Sequence, residues 1–105
     1  MAEIRWSLAA ERDLREIEDF IARDAPLRAV AFINRLVEAV DNLDTAPLLG
    51  RIVPEFQRED LRELIFRAYR VVYRLEGSGQ VTILRVVHGA RELRVLATRE
   101  PWDLG

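Results

Sequence analysis

The sequence predicts an α+β domain of order β-α-α-β-β-β(-α), with a helix hairpin packed on one face of a mainly antiparallel sheet. Three observations predict it. Residues 64–75 and 81–91 are runs dominated by Val, Ile, Tyr and Phe, separated by Glu76-Gly77-Ser78-Gly79, the pattern of two strands joined by a Gly-containing turn. Upstream, two stretches repeat apolar residues at helical spacing. A chain of 105 residues builds one hydrophobic core rather than two, so residues 1–105 read as a single domain.

Each element has a local reason. Glu3-Ile4-Arg5-Trp6 alternates polar and apolar side chains as a short strand does, and Ser7 follows at a helix N-cap. Ala10, Leu14, Ile17, Phe20 and Ile21 then form a core-facing stripe, with Glu11, Arg12, Asp13, Arg15, Glu16, Glu18 and Asp19 around the rest of the circumference. The acids in its first turns also suit the positive end of the helix dipole. Asp24-Ala25-Pro26 ends this helix, because the residue before proline is steered away from helical angles, and Pro26 suits the first position of the next. Ala29, Phe32, Ile33, Leu36, Val37, Val40 and Leu43 make the second stripe, and so short a link predicts an antiparallel helix pair. Residues 44–60, broken by Pro47, Gly50 and Pro54, read as a loop, whose Leu48, Leu49, Ile52 and Val53 are expected to pack down onto the domain. A strand beginning near residues 61–63 precedes the hairpin. Beyond His88-Gly89, residues 91–96 read as a short helical turn and the tail ends in Pro101-Trp102-Asp103.

Composition removes several classes of function. Half the residues are apolar and 8% aromatic, as in a folded domain rather than a disordered chain. With no cysteine and one histidine, neither a disulfide nor a zinc site is expected, and no cofactor motif is recognisable. No apolar run approaches the roughly 20 residues of a membrane span and the N-terminus lacks a signal-peptide layout, so no membrane partner and a cytoplasmic location are expected. All sixteen basic residues are arginine. Genomic base composition is one source of that bias; the planar, bidentate grip of guanidinium on carboxylate or phosphate is the other. Residues 1–57 hold seven arginines against eleven acids, and residues 58–105 hold nine against seven. The basic back half suits a polyanion or an acidic protein, while a net charge of −2 argues against direct sequence-specific nucleic-acid binding.

Strand alternation places Tyr69, Val71 and Tyr73 on one side and Arg70, Val72 and Arg74 on the other. On the next strand His88 joins Thr82, Leu84 and Val86, while Arg85 joins Val81, Ile83 and Val87. One face packs on the helices; the other is expected to display arginine, tyrosine and histidine on a shallow concave surface. Two readings of these groups stand. Arginines beside a base, with His88 and Glu55 as the titratable partners, would stabilise a phosphorane-like transition state, as an endonuclease requires. Alternatively, the arginines form cross-strand salt bridges with Glu63, Glu76 or Glu92, and His88 is a satisfied structural side chain.

Taken together, Trp6-Ser7-Leu8-Ala9-Ala10-Glu11-Arg12-Asp13-Leu14, Gly50-Arg51-Ile52-Val53-Pro54-Glu55, Arg62-Glu63-Leu64, Tyr69-Arg70-Val71-Val72-Tyr73 and Val86-Val87-His88-Gly89-Ala90-Arg91 resemble the ParE branch of the RelE/ParE toxin superfamily, in the same order and over almost the whole chain. The resemblance implies the RelE/ParE fold and the toxin component of a type II toxin–antitoxin system, held in a hetero-oligomer by a ParD-like antitoxin whose partly disordered C-terminal half folds onto it. ParE-branch members are taken to poison DNA gyrase, whereas RelE-branch members cut messenger RNA in the ribosomal decoding site. Carried over residue by residue, the RelE-type catalytic pattern finds Arg70 and Arg91, with His88 as the titratable group nearby. Its C-terminal tyrosine has no counterpart, Leu96-Ala97-Thr98 standing there, and its lysines have none in a lysine-free chain. The resemblance thus implies first a gyrase inhibitor that acts by binding, second a ribosome-dependent ribonuclease, and third a non-toxic protein-binding module, with no cofactor or metal in any case. Arg70, Arg74, His88 and Arg91 are the expected antitoxin- or target-binding residues, beside apolar side chains left exposed between the helix hairpin and the sheet.

Overall fold

The computed structural model describes residues 2–91 and Leu93. The chain runs β1 (Ile4–Trp6), α1 (Leu8–Ala22), α2 (Pro26–Asp41), a 3-10 turn (Asn42–Asp44), β2 (Arg51–Ile52), β3 (Leu61–Phe66), β4 (Tyr69–Leu75) and β5 (Val81–His88). The strands form one sheet in the order β1-β5-β4-β3-β2, antiparallel except for the parallel β1–β5 pair. The predicted α+β class, with two helices on a mostly antiparallel sheet, is the observed one.

Local chemistry sets the helix ends. Ser7 has extended backbone angles and its hydroxyl accepts from the Ala10 N–H at 3.0 Å, a cap that contributes about 1 kcal/mol. Pro26 opens α2, where its missing N–H would have had no helical partner. Ala10, Ile17, Leu36, Val40 and Leu43 are buried against Val71, Tyr73, Val81, Ile83 and Val86 of the sheet. A second core covers the opposite face, where Val53, Leu61, Val72, Leu84, Val87 and Leu93 cluster with Phe56 packed against them.

Several expectations need correction. Residues 64–75 are two strands, β3 and β4, turning at Arg67-Ala68 with Arg67 at φ 53°. The predicted loop contains the short strand β2, which pairs Arg51 with Glu63 and Ile52 with Arg62. Val53 packs down as expected, but Leu48, Leu49 and Ile52 are exposed, because β2 lies at the sheet edge and nothing described covers them. On α1, Phe20 is 64% exposed and leaves the stripe, whereas Asp13, read as a surface residue, is buried. The expected turn over residues 91–96 lies outside the described residues apart from Arg91 and the buried, helical Leu93, and the 101–103 tail and Glu92 lie outside them entirely.

The largest departure is in β5. Val72 pairs with Arg85 and Tyr73 with Ile83, so Leu84 is an extra residue, a β-bulge. Alternation holds along β4, where Val71 and Tyr73 face the helices and Val72 the second core, but the bulge resets it along β5. Ile83 and Val86 therefore share the helix side, and Leu84 and Val87 share the other. His88 consequently sits opposite Tyr69 with the rings edge to face at 5.7 Å.

Tyr73 ties the irregular 45–50 segment to the sheet. Its buried hydroxyl accepts from the Gly50 N–H at 2.9 Å and donates to the Pro47 carbonyl at 2.8 Å. A Cβ on Gly50 would lie 2.6 Å from both that hydroxyl and the Glu63 carbonyl oxygen, so glycine is required by the close approach. Burial raises the Tyr73 phenol pKa above its ordinary value, keeping it a neutral donor. Tyr73→Phe removes both bonds and strands a buried N–H; denaturant unfolding should show a loss of about 1–3 kcal/mol with an unchanged m-value.

Candidate functional site

The strand register builds a ladder of charge on the second face of the sheet. Arg51 of β2 stands directly opposite Glu63 of β3, and Arg70 of β4, opposite Ile65, lies diagonally from Glu63. The Glu63 carboxylate, fully buried, accepts from Arg51 Nε and Arg70 Nε at 2.6 Å each. Both terminal nitrogens of Arg70 donate to the two oxygens of Glu55 at 2.7 Å, the fork-to-fork geometry of a strong arginine–carboxylate pair. Glu55 reaches this position from a turn in which the Phe56 and Gln57 N–H groups donate to the Val53 carbonyl. Hydrogen bonding from Glu55 first, and then from Glu63, holds the Arg70 pKa above its ordinary value against the opposing effect of burial.

A second buried pair sits on the helix face. Asp13 of α1 accepts from Arg85 Nε at 2.8 Å, from Arg85 Nη2 at 3.0 Å and from the Val86 backbone N–H at 2.8 Å. The groups disturbed by the β5 bulge are thereby satisfied from α1, which also supplies the Ser7 hydroxyl to the Leu84 carbonyl at 2.9 Å.

The displayed arginine face expected from the sequence is therefore absent at its centre. Arg70 is 7% exposed, held under Glu55 and Glu63 beside the second core, while Arg85, at 6%, and the fully buried Tyr73 turn to the helix face, into Asp13 and the first core. The alternative reading, pairing with Glu63 or Glu76, is the observed one for Arg70 and Arg74, across strands for Arg70 but between residues two apart in the chain for Arg74. Arg74 Nε donates to Glu76 at 2.8 Å, on a carboxylate that also accepts from Thr82 Oγ1, and it lies at the opposite end of β4 from Arg70. His88 and Arg91 remain exposed. The His88 ring meets Tyr69, its Nδ1 accepts from the Ala90 N–H at 3.2 Å, and its carbonyl accepts from the Arg91 N–H.

Two clefts open where β4 starts and β5 ends. One, of about 540 Å³, lies between α1 and β5, lined among others by Arg12, Phe20, Tyr69, His88 and Arg91. The other, of about 350 Å³, is lined by Arg51, Glu55, Ile65, Arg67, Arg70 and Gly89, and Tyr69 lines both. The structure thus brings Arg70, His88 and Arg91 to one end of the sheet and leaves Arg74 at the other. Sequence reasoning missed Asp13, Arg85, Arg12 and Arg67 as members of this end. A signal for Asp13 was present: it falls three residues after Ala10 and four before Ile17, on the buried stripe. Among the described residues no three His, Cys, Asp or Glu side chains gather as a metal site needs, and no helix is long and apolar enough to cross a membrane.

Comparison with known proteins bears on this arrangement. The family described as the ParE toxin of type II toxin–antitoxin systems, parDE, matches residues 4–93. The chain is similar to Toxin RelE2 of Caulobacter vibrioides, 35% identical over 91 residues that make up 87% of this chain and 99% of that protein. In fold it is similar to the chromosomal ParDE system of P. aeruginosa, with a TM-score of 0.72 at 24% identity, covering 84% of this chain and 96% of that one. The toxin–antitoxin complex RelBE2 of Mycobacterium tuberculosis gives a TM-score of 0.59 at 27% identity, covering 83% and 96%.

Breaking the Asp13–Arg85 pair leaves a buried guanidinium without its counter-charge. Asp13→Ala should destabilise the protein by about 3–5 kcal/mol in urea unfolding. The double variant Asp13→Leu, Arg85→Met should recover only part of this, since the Val86 N–H stays buried without an acceptor at a cost of about 1–3 kcal/mol.

Proposed function

The chain belongs to the ParE toxin family of type II toxin–antitoxin systems, and on that premise we propose that it inhibits DNA gyrase by binding, breaking no bond itself, and that a ParD-like antitoxin neutralises it in a hetero-oligomer. The observation that supports this reading is the state of Arg70. Cutting RNA needs a cation able to meet charge developing on phosphate, and a group to move a proton. Arg70, which the RelE-type pattern would use, spends its guanidinium on two carboxylates, Glu55 and Glu63. His88 has its Nδ1 engaged by the Ala90 N–H. Of the two candidate arginines, Arg91 is the exposed one, and no described ion pair engages it. Binding needs neither a proton carrier nor an uncommitted buried cation, and exposed arginines around apolar clefts serve it directly.

Ribosome-dependent cleavage of messenger RNA is the second reading, favoured by the 35% identity to a relative named RelE2. Purified toxin at micromolar concentration should suppress gyrase supercoiling and trap cleaved DNA, and added antitoxin should reverse both effects. Unchanged supercoiling, with primer-extension stops near A-site codons of translated transcripts, would instead select the ribonuclease. Normal growth on induced expression without antitoxin would exclude both and leave a binding module.

A further inference from the structure

We propose that Leu48 and Leu49, with Ile52 beside them, are anchors through which the chain grips its target protein, and that they enter an apolar, uncharged pocket on gyrase. This rests on the reading above, that gyrase is the target, and adds to it the place and the chemistry of one contact. Three observations carry it.

The first is where apolar surface stays open. Leu48, Leu49 and Ile52 are 65%, 57% and 38% exposed, and no other five-residue stretch of the described chain leaves three large apolar side chains in solvent. None of them lines either of the two clefts. Single apolar residues on a surface are ordinary, whereas a group of branched aliphatic side chains is favourable to bury and marks a contact.

The second is how the fold holds them. The Tyr73 hydroxyl fastens the segment from beneath, accepting from the Gly50 N–H at 2.9 Å and donating to the Pro47 carbonyl at 2.8 Å. The Leu49 N–H donates to the Ala46 carbonyl at 3.0 Å, and the Gly50 carbonyl accepts from Arg62 Nη1 at 3.1 Å. Backbone on both sides of the two leucines is therefore fixed before any partner arrives, which lowers the ordering cost of binding. The domain's own core gains little from this, because both side chains stay in solvent.

The third is what the surroundings suit. Arg51, Arg58 and Arg62 are the arginines of residues 45–62, and each donates within the domain: to Glu63, to Asp60, and to the Glu59 and Gly50 carbonyls. With Glu55, Glu59 and Asp60 the segment carries no net charge, so it offers no excess of cations to a nucleic-acid backbone or a strongly acidic partner. Extension of the sheet by another strand is also poorly served. Gly50 uses both its backbone groups inside the domain, the Val53 N–H donates to Leu61, and Pro54 has no N–H. Aliphatic side chains entering an apolar pocket of a folded protein fit the whole set.

The test uses the full-length toxin, the gyrase holoenzyme and the protein encoded by the adjacent reading frame. The double variant Leu48→Ser, Leu49→Ser changes exposed side chains only, and circular dichroism checks that it is folded. It should need at least about tenfold more toxin than wild type to suppress supercoiling, while calorimetry gives an antitoxin affinity within about twofold of wild type. Leu27→Ser, 88% exposed on α2, should match wild type in both assays. A double variant that suppresses supercoiling as well as wild type overturns this inference and leaves the proposed function standing. Antitoxin affinity lost in step with inhibition assigns the leucines to the antitoxin, and a wild-type dimer at micromolar concentration that the variant reduces to a monomer assigns them to a second copy; either result overturns the inference. Wild-type toxin that leaves supercoiling unchanged overturns the proposed function and this inference with it.

Discussion

The Asp13 carboxylate is the contact on which the rest of the molecule depends. A bulge in a flanked strand leaves backbone groups out of the ladder and turns a side chain toward the wrong face. Here α1 repairs the damage: Asp13 takes three donors from Arg85 and Val86, and Ser7 donates to Leu84. Because the bulge resets alternation, β5 gives Ile83 and Val86 to the helix-side core and Leu84 and Val87 to the other. Each face of the central sheet obtains an apolar core, and α1 is fixed at the distance from β5 that leaves the larger cleft open. Burying two charges is costly, and the cost is offset because both oxygens of Asp13 accept from Arg85 and one of them also from the Val86 N–H.

Arginine plays two distinct parts in this lysine-free chain. Arg70 and Arg85 are interior fasteners whose planar forks meet carboxylates from a turn and from a helix, a geometry that a lysine ammonium does not reproduce. Arg12, Arg67 and Arg91 stay in solvent around the clefts. The division bears on function: a guanidinium already neutralised has little left for a developing phosphate charge, whereas a solvated one steers and orients an acidic partner.

Some of this was legible in the residues. The N-cap at Ser7, the start of α2 at Pro26, the helical stripes apart from Phe20, and the Gly79 turn follow from local preferences, and these are observed. The pairing of Arg70 with Glu63 follows from cross-strand neighbourhood and that of Arg74 with Glu76 from a separation of two residues, and both were foreseen as one of two readings. The β3–β4 turn was not, because Arg67-Ala68 has neither the Asn nor the Gly that usually marks a two-residue hairpin; Arg67 instead takes φ 53°, with its guanidinium 5.6 Å over the Phe66 ring.

By itself the sequence determined the two helices, β1, β5 and the class of the fold, since capping, proline geometry and apolar period act over a few residues and need no partner. Tertiary structure alone decided which arginines are buried, where β5 slips by one residue and which side chains gather around Tyr69. Those outcomes depend on register and on contacts between residues far apart, such as the 72 positions separating Asp13 from Arg85, which no local pattern encodes.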